Sequence, residues 1–300
     1  MTPDPLQQSK LDLIDGLAFD AFGNLLGVLE ILGAAGGVVY VDGATGEVTK
    51  LLSGISRADQ IALHPSGDVF VTSEVVPAST SNRVYRVVLG YGANDVPVAA
   101  GTTATSLVTS VAINDPEGIV VLPATGPYGE AGDLYVAEDI NPGRILHVDP
   151  TTGATTVLVS GLARPEGMAF GDFGGNLAAA LYVAETLNHR VLRIGSDGTV
   201  GVVGDPSRVG LTSPDNVEFG PDGFLYVSED RFGPASRIIR IAADGTHTVF
   251  ATGFAQAQGM VFASNGDLYI SEQDLDRIWR VRFATAVEAR GFGGFKRLYR

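Results

Sequence analysis

Apolar and polar positions alternate along this chain in short runs, and turns that contain glycine separate the runs. Runs of about five residues with this alternation are typical of β-strands. From Pro165 to Ile194 the order is an acidic residue, a short apolar strand, a turn, a strand that ends in glutamate and a strand that begins with arginine. The pattern predicts antiparallel strands joined by tight turns.

The same pattern occurs six times along the chain. We define the inner set as the residues at its first acidic position, which are Asp15, Asp59, Glu117, Glu166, Asp215 and Gln258, at intervals of 44, 58, 49, 49 and 43 residues. Repeats of this length, made of short strands, are typical of propellers. One four-stranded sheet alone cannot bury both of its faces, whereas six sheets arranged around an axis bury the faces of their neighbours. We predict an all-β fold, a six-bladed β-propeller with four antiparallel strands per blade.

The repeats also set the predicted boundaries. One propeller domain would span residues 11–293, after an N-terminal lead-in over 1–10 and before a basic C-terminal tail over 294–300. Residues 25–32 would suit a helix if read alone, but alignment with the other repeats favours a strand that ends at Glu30. The last blade could take its outer strand from residues 284–293 or from residues 5–11.

Composition narrows the possible partners. The chain has 300 residues, a formal net charge of −14 and no cysteine. Disulfides and thiolate chemistry are therefore excluded, and nucleic acid or an anionic membrane is an unfavourable partner. The sequence shows neither a signal peptide nor an apolar span of about 18 residues, and the compartment stays open. We expect a monomer that acts on a small-molecule substrate.

A glutamate ends the second strand of every repeat. We define the outer set as these residues, Glu30, Glu74, Glu138, Glu185, Glu229 and Glu272. In five repeats an arginine follows at the start of the third strand, namely Arg83, Arg144, Arg190, Arg237 and Arg277. The pairing predicts structural salt bridges that leave neither charge uncompensated. Glu30 has Gly37 in place of the arginine, so we predict that Glu30 is free to contact a substrate.

The inner set suggests chemistry. The innermost strand of each blade lines the central channel, so its five acids would converge there, and no lysine or arginine occupies a matching position. Crowded carboxylates repel one another, so either a cation binds among them or some take up protons, unless channel water solvates them. Ligands that are all oxygen favour a hard divalent cation, and Ca²⁺ accepts irregular geometry better than Mg²⁺ does.

Several motifs resemble a known family. The segments Pro165-Glu166-Gly167-Met168, Pro214-Asp215-Asn216-Val217 and Tyr226-Val227-Ser228 resemble the regucalcin/gluconolactonase (senescence marker protein-like) superfamily of six-bladed propellers, and residues 181–191 resemble an NHL repeat. The resemblance covers about residues 11–283. It implies a divalent cation, commonly calcium, held at the positions of Asp15, Glu166 and Asp215. It also places Glu117 where the family has an amide that contacts the substrate.

The resemblance implies a metal-dependent hydrolase of a lactone or related ester, with its site at the mouth of the channel. The cation would polarise the carbonyl group, and Asp215 or Glu117 would act as the general base. The residues expected to contact the substrate are Asp59, Gln258, Asn216, Glu30, Arg231 and Phe232. The loops expected to shape the mouth are 75–82, 140–143, 230–236 and 273–276.

Two other functions fit the same sequence. One is a non-catalytic, NHL-like propeller that binds a protein, peptide or glycan on a rigid platform. The absence of a channel histidine favours it, because His64, His147, His189 and His247 fall in turns or outer strands. The other is a metal-dependent isomerase, lyase or bond-forming enzyme that uses the same channel. A tightly bound cation would favour an enzyme over the platform.

Overall fold

The computed structural model describes residues 10–74, 83–108, 113–176, 179–204 and 210–282. These residues form six antiparallel sheets, of which five have four strands and the sixth has three. The predicted six-bladed β-propeller is confirmed. Residues 284–293 and 5–9, considered above for the last outer strand, lie outside the described residues, as do loop 75–82 and the tail. Within the described residues no helix is long and apolar enough to cross a membrane.

The strands follow one another outward from the axis within each blade. Blade one contains β1 (Ile14–Phe19), β2 (Leu25–Leu29), β3 (Gly37–Val41) and β4 (Val48–Ser53), and blade two contains β5 (Ala58–Leu63), β6 (Val69–Ser73), β7 (Arg83–Tyr91) and β8 (Pro97–Val108). Blade three contains β9 (Pro116–Val121), β10 (Leu134–Glu138), β11 (Gly143–Val148) and β12 (Thr155–Leu162), and blade four contains β13 (Pro165–Gly171), β14 (Ala180–Glu185), β15 (Arg190–Ile194) and β16 (Val200–Val203). Blade five contains β17 (Pro214–Phe219), β18 (Leu225–Glu229), β19 (Ser236–Ile241) and β20 (His247–Phe254), and blade six contains β21 (Ala257–Phe262), β22 (Leu268–Glu272) and β23 (Arg277–Val281). Residues 25–29 form a strand, as the alignment of repeats predicted.

The core lies between the blades. Among the described residues, buried apolar side chains form six clusters, one at each junction of neighbouring blades. One cluster joins Leu17 and Leu25 of blade one to Tyr269 and Ile278 of blade six. The innermost strand β21 also contacts β1, so the ring is closed. Each blade thus buries its faces against both neighbours, which is the arrangement the repeat pattern requires.

Every innermost strand is interrupted by a bulge at the residue of the inner set. In blade three, for example, the pairing with β10 shifts between Ile119 and Pro116, on either side of Glu117. The other five blades shift at the matching place. A bulge re-aims the side chain of its extra residue. The following Gly118 lets the strands approach closely, since a Cβ there would lie 2.1 Å from the backbone oxygen of Glu166.

Candidate functional site

The starts of the innermost strands and the ends of the second strands meet around a polar cavity of about 440 Å³. Its lining is dominated by carboxyl groups. The lining residues are Asp15, Glu30, Arg57, Asp59, Glu74, Asp115, Glu117, Asp139, Arg164, Glu166, Asp215, Asp230, Gln256, Gln258 and Gln273. With ten acids and two arginines, the lining carries an excess of carboxyl groups, and it favours a cation.

Most of the sequence-predicted site residues lie in this cavity. All six members of the inner set and Glu30 line it. Asn216 is buried just beyond the lining, where its amide nitrogen donates across the ring to Gln60 Oε1 at 3.5 Å. Arg231 and Phe232 are outside the lining, and Phe232 is 83% exposed. Their role in substrate binding stays a prediction.

The outer set is not one set, because two of its members are out of register. Glu138, Glu185, Glu229 and Glu272 pair with the first residue of the innermost strand, whereas that position is Leu29 in blade one and Ser73 in blade two. Glu30 and Glu74 therefore stand one residue later. Successive side chains of a strand point in opposite directions, so this offset of one residue directs both glutamates into the cavity.

The four remaining members of the outer set form the predicted salt bridges. Glu138 binds Arg144, Glu185 binds Arg190, Glu229 binds Arg237 and Glu272 binds Arg277. Glu74 contacts Arg57. The prediction that Glu30 lacks an arginine partner is wrong, since Arg57 Nη2 lies 2.6 Å from Glu30 Oε1.

Two positions that line the cavity were missed in the sequence. One is two residues before the inner set and holds Leu13, Arg57, Asp115, Arg164, Ser213 and Gln256, all of which have a positive φ between 46° and 53°. Four of these six, Arg57, Asp115, Arg164 and Gln256, line the cavity. The other directly follows the second-strand residue that pairs with the first residue of the innermost strand, and it includes Asp139, Asp230 and Gln273. A left-handed non-glycine residue once in every blade is unusual. The signal in the sequence that could have identified the first of these positions is its constant distance of two residues before the inner set.

These positions bring two arginines into the cavity. Arg164 Nε donates to Asp139 Oδ1 at 2.8 Å, its Nη2 donates to the other oxygen, and the same Nη2 lies 3.4 Å from Glu166 Oε1. Its side chain is 46% exposed. The two arginines therefore partly neutralise the acids of the cavity. The sequence did not reveal this, because neither arginine occupies a position of the inner set.

Two groups of three carboxylates have oxygen atoms within 4.8 Å of one another in the described residues. One group is Asp15, Glu30 and Asp59, and the other is Glu117, Asp139 and Glu166. Asp15 and Glu166, both predicted as metal ligands, thus fall in different groups. Asp215, the third predicted ligand, is close enough to raise the pKa of both Asp15 and Glu166.

The cavity favours protonated carboxyl groups. Burial raises the pKa of the five acids of the inner set, and repulsion by neighbouring carboxylates raises it further. Burial also raises the pKa of Glu74 to about 8, although Arg57 acts in the opposite direction. Among the described residues no histidine lines the cavity. Proton transfer there would therefore depend on carboxyl groups.

Solved structures share this architecture at low sequence identity. An auxiliary nutrient binding protein from Bacteroides thetaiotaomicron superposes with a TM-score of 0.65 at 17% identity, over 88% of this chain and 68% of its own. A gluconolactonase from Xanthomonas campestris superposes with a TM-score of 0.61 at 14% identity, over 90% of this chain and 85% of its own. The chain is similar in fold to both proteins.

A lyase has the same fold as well. Virginiamycin B lyase from Staphylococcus aureus superposes with a TM-score of 0.57 at 17% identity, over 91% of this chain and 82% of its own. No protein-family model and no curated protein sequence matches the chain. These likenesses establish the fold, which does not by itself determine the chemistry of the cavity.

Proposed function

We propose that this protein is a hydrolase of a lactone or related ester, dependent on a divalent cation, calcium in the first instance, bound in the axial cavity. The observation that carries the proposal is the convergence of the inner set from separate blades on one cavity. A gluconolactonase with the same fold supports the choice of substrate class. The substrate would be neutral or cationic, since a cavity with this excess of carboxylates repels anions.

The donor set fits a hard cation. Glu117, Asp139 and Glu166 already have oxygens within 4.8 Å of one another. Carboxylate oxygens are the ligands that Ca²⁺ prefers. These three side chains would hold the cation. When bound, it would polarise the carbonyl of the substrate and stabilise the oxyanion.

Asp215 is the general base in this proposal. It lines the cavity outside both carboxylate groups, and the side-chain amide of Gln258 lies against its carboxyl, which fixes the carboxyl's orientation. Burial raises its pKa, and neighbouring acids raise it further, which strengthens it as a proton acceptor once it is ionised. Asp215 would take a proton from water as the water oxygen attacks the carbonyl carbon. It would return the proton to the leaving alcohol oxygen when the ester C–O bond breaks.

Replacement of Asp215 by asparagine tests this role. The variant keeps the shape of the side chain but cannot accept the proton, so we expect kcat to fall at least about 100-fold. The measurement is a screen of lactones and aryl esters with calcium and with a chelator. Thr212→Ser, at a residue outside the cavity lining, is the control. Absence of turnover by the wild type, or an unchanged kcat in Asp215→Asn, would remove the hydrolase proposal.

Two alternative functions, a lyase and a binding platform, have support of the same kind, since the solved structures similar to this chain include a lyase and a nutrient binding protein. A lyase would yield an unsaturated product without consuming water, which mass spectrometry in H₂¹⁸O distinguishes from hydrolysis. A binding platform would show ligand binding with no turnover. The lack of a histidine in the described lining is the observation that favours the platform.

A further inference from the structure

The two carboxylate groups of the cavity are copies of one arrangement. Each contains the inner-set acid of one blade, the inner-set acid of the next blade, and the acid at the end of the first blade's second strand. The first copy is Asp15, Asp59 and Glu30 from blades one and two, and the second is Glu117, Glu166 and Asp139 from blades three and four. The structure therefore repeats this site with a step of two blades.

An arginine completes each copy in the same way. It lies two residues before the second inner-set acid and binds the acid from the second strand of the preceding blade. Arg57 binds Glu30 in the first copy, and Arg164 binds Asp139 in the second. The match extends to backbone conformation, since φ is 46° at Arg57 and 52° at Arg164.

Blades five and six contain a third copy in which glutamine replaces two of the charged groups. Gln256 takes the place of the arginine, and its Nε2 donates to Asp230 Oδ1 at 3.2 Å. Gln258 takes the place of the second inner-set acid and lies against Asp215. This copy retains two carboxylates and is held together by amides. It provides an internal comparison for the other two.

In the first copy, one carboxylate oxygen of Asp59 has no hydrogen-bond donor among the described residues. The residue is only 5% exposed, and this oxygen, Oδ1, is buried. By contrast, the two oxygens of Asp15 accept hydrogen bonds from Gln60 at 3.1 Å and from Gln273 at 2.9 Å. A buried carboxylate oxygen without a donor is costly unless a cation satisfies it.

We propose that the cavity binds two divalent cations, one in the Glu117 group and a second in the group of Asp15, Glu30 and Asp59. When all six carboxyl groups are ionised, as cation binding requires, they and the two guanidinium groups carry a net charge of −4, which two divalent cations would neutralise. Donors that are all oxygen favour Ca²⁺ or Mg²⁺. The second site extends the cavity of the proposed function, but it does not depend on hydrolysis.

Calcium stoichiometry tests this inference. The full chain would be stripped with a chelator and titrated with Ca²⁺ by calorimetry near pH 8, with bound calcium counted by equilibrium dialysis. We expect two ions per wild-type chain, one in Asp59→Asn and one in Glu117→Gln. Asp230→Asn, in the third copy, is the matched control and should keep two.

The outcomes separate this site from the proposed function. One ion in the wild type, or two ions in Asp59→Asn, would overturn the second site. If Asp59→Asn does not fold by near-ultraviolet circular dichroism, Glu30→Gln serves at the same site with the same expected loss of one ion. Two ions without hydrolysis would remove the hydrolase proposal and leave the second site. One ion with hydrolysis would remove the second site and leave the hydrolase proposal.

Discussion

Stripped of divalent cations, the protein is expected to lose stability as the pH rises from about 5 to about 9. Burial and mutual repulsion raise the pKa of the acids of the inner set, and the pKa of Glu74 rises from its ordinary 4.5 to about 8. A carboxyl with a raised pKa in the folded state binds its proton more tightly there than in the unfolded chain. Its stabilising contribution is full below about pH 4 and is lost as the pH rises through the folded-state pKa.

The expected loss of unfolding free energy is about 3 kcal/mol or more, since one pKa unit corresponds to about 1.4 kcal/mol. For 300 residues this lowers Tm by roughly 5 °C. Thermal unfolding measured across this pH range with a chelator tests the expectation. Saturating calcium should abolish or reverse the trend, because cations bind to the deprotonated carboxylates. A Tm that rises steadily with pH in the chelator would contradict this account of the cavity.

Replacement of Arg237 by methionine should lower the free energy of unfolding by about 3–5 kcal/mol, because it leaves a buried carboxylate without its cation. The Glu229 side chain is fully buried, and Arg237 donates to its two oxygens at 2.6 and 2.7 Å. After the substitution, the backbone N–H of Thr212, 2.8 Å from Glu229 Oε1, is the remaining donor within the part of the chain that the structure describes. The pair is therefore structural, in contrast to the acids of the cavity.

Urea unfolding measures this loss. Arg193→Met, at an exposed arginine, is the control and should change stability by less than about 1 kcal/mol. The double variant Arg237→Met/Glu229→Leu should recover part of the loss, because neither charge is then left buried alone. A loss below about 1 kcal/mol in Arg237→Met alone would show that the salt bridge does not stabilise the blade.

The fold was predictable because the repeat is visible in the sequence. Residues 25–32 have no strand signal of their own, yet alignment with five better copies places β2 correctly. The same alignment failed at Glu30 and Glu74. All six repeats have a glutamate at nearly the same place, so the alignment does not show that Glu30 and Glu74 lie one residue later than the other four. In a strand, a shift of one residue moves a side chain to the opposite face of the sheet. Only strand pairing, with Leu29 and Ser73 in the paired positions, reveals it.

The site was predictable in part for the same reason. The inner set follows from the repeat, and its convergence on one cavity follows from propeller geometry. Arg57 and Arg164 could not be placed, because a left-handed backbone and a bulge direct them to acids of the preceding blade. Contacts between blades depend on how the ring packs, and no single repeat contains them. The two-blade step of the carboxylate groups is visible only once those contacts are known.

Anomalous diffraction from crystals soaked in terbium, which substitutes for calcium, is the most direct test of the central claim that this cavity binds a cation. We predict a strong peak among Glu117, Asp139 and Glu166, with carboxylate oxygens at about 2.3–2.6 Å from it. A cavity without a peak at saturating terbium would contradict it.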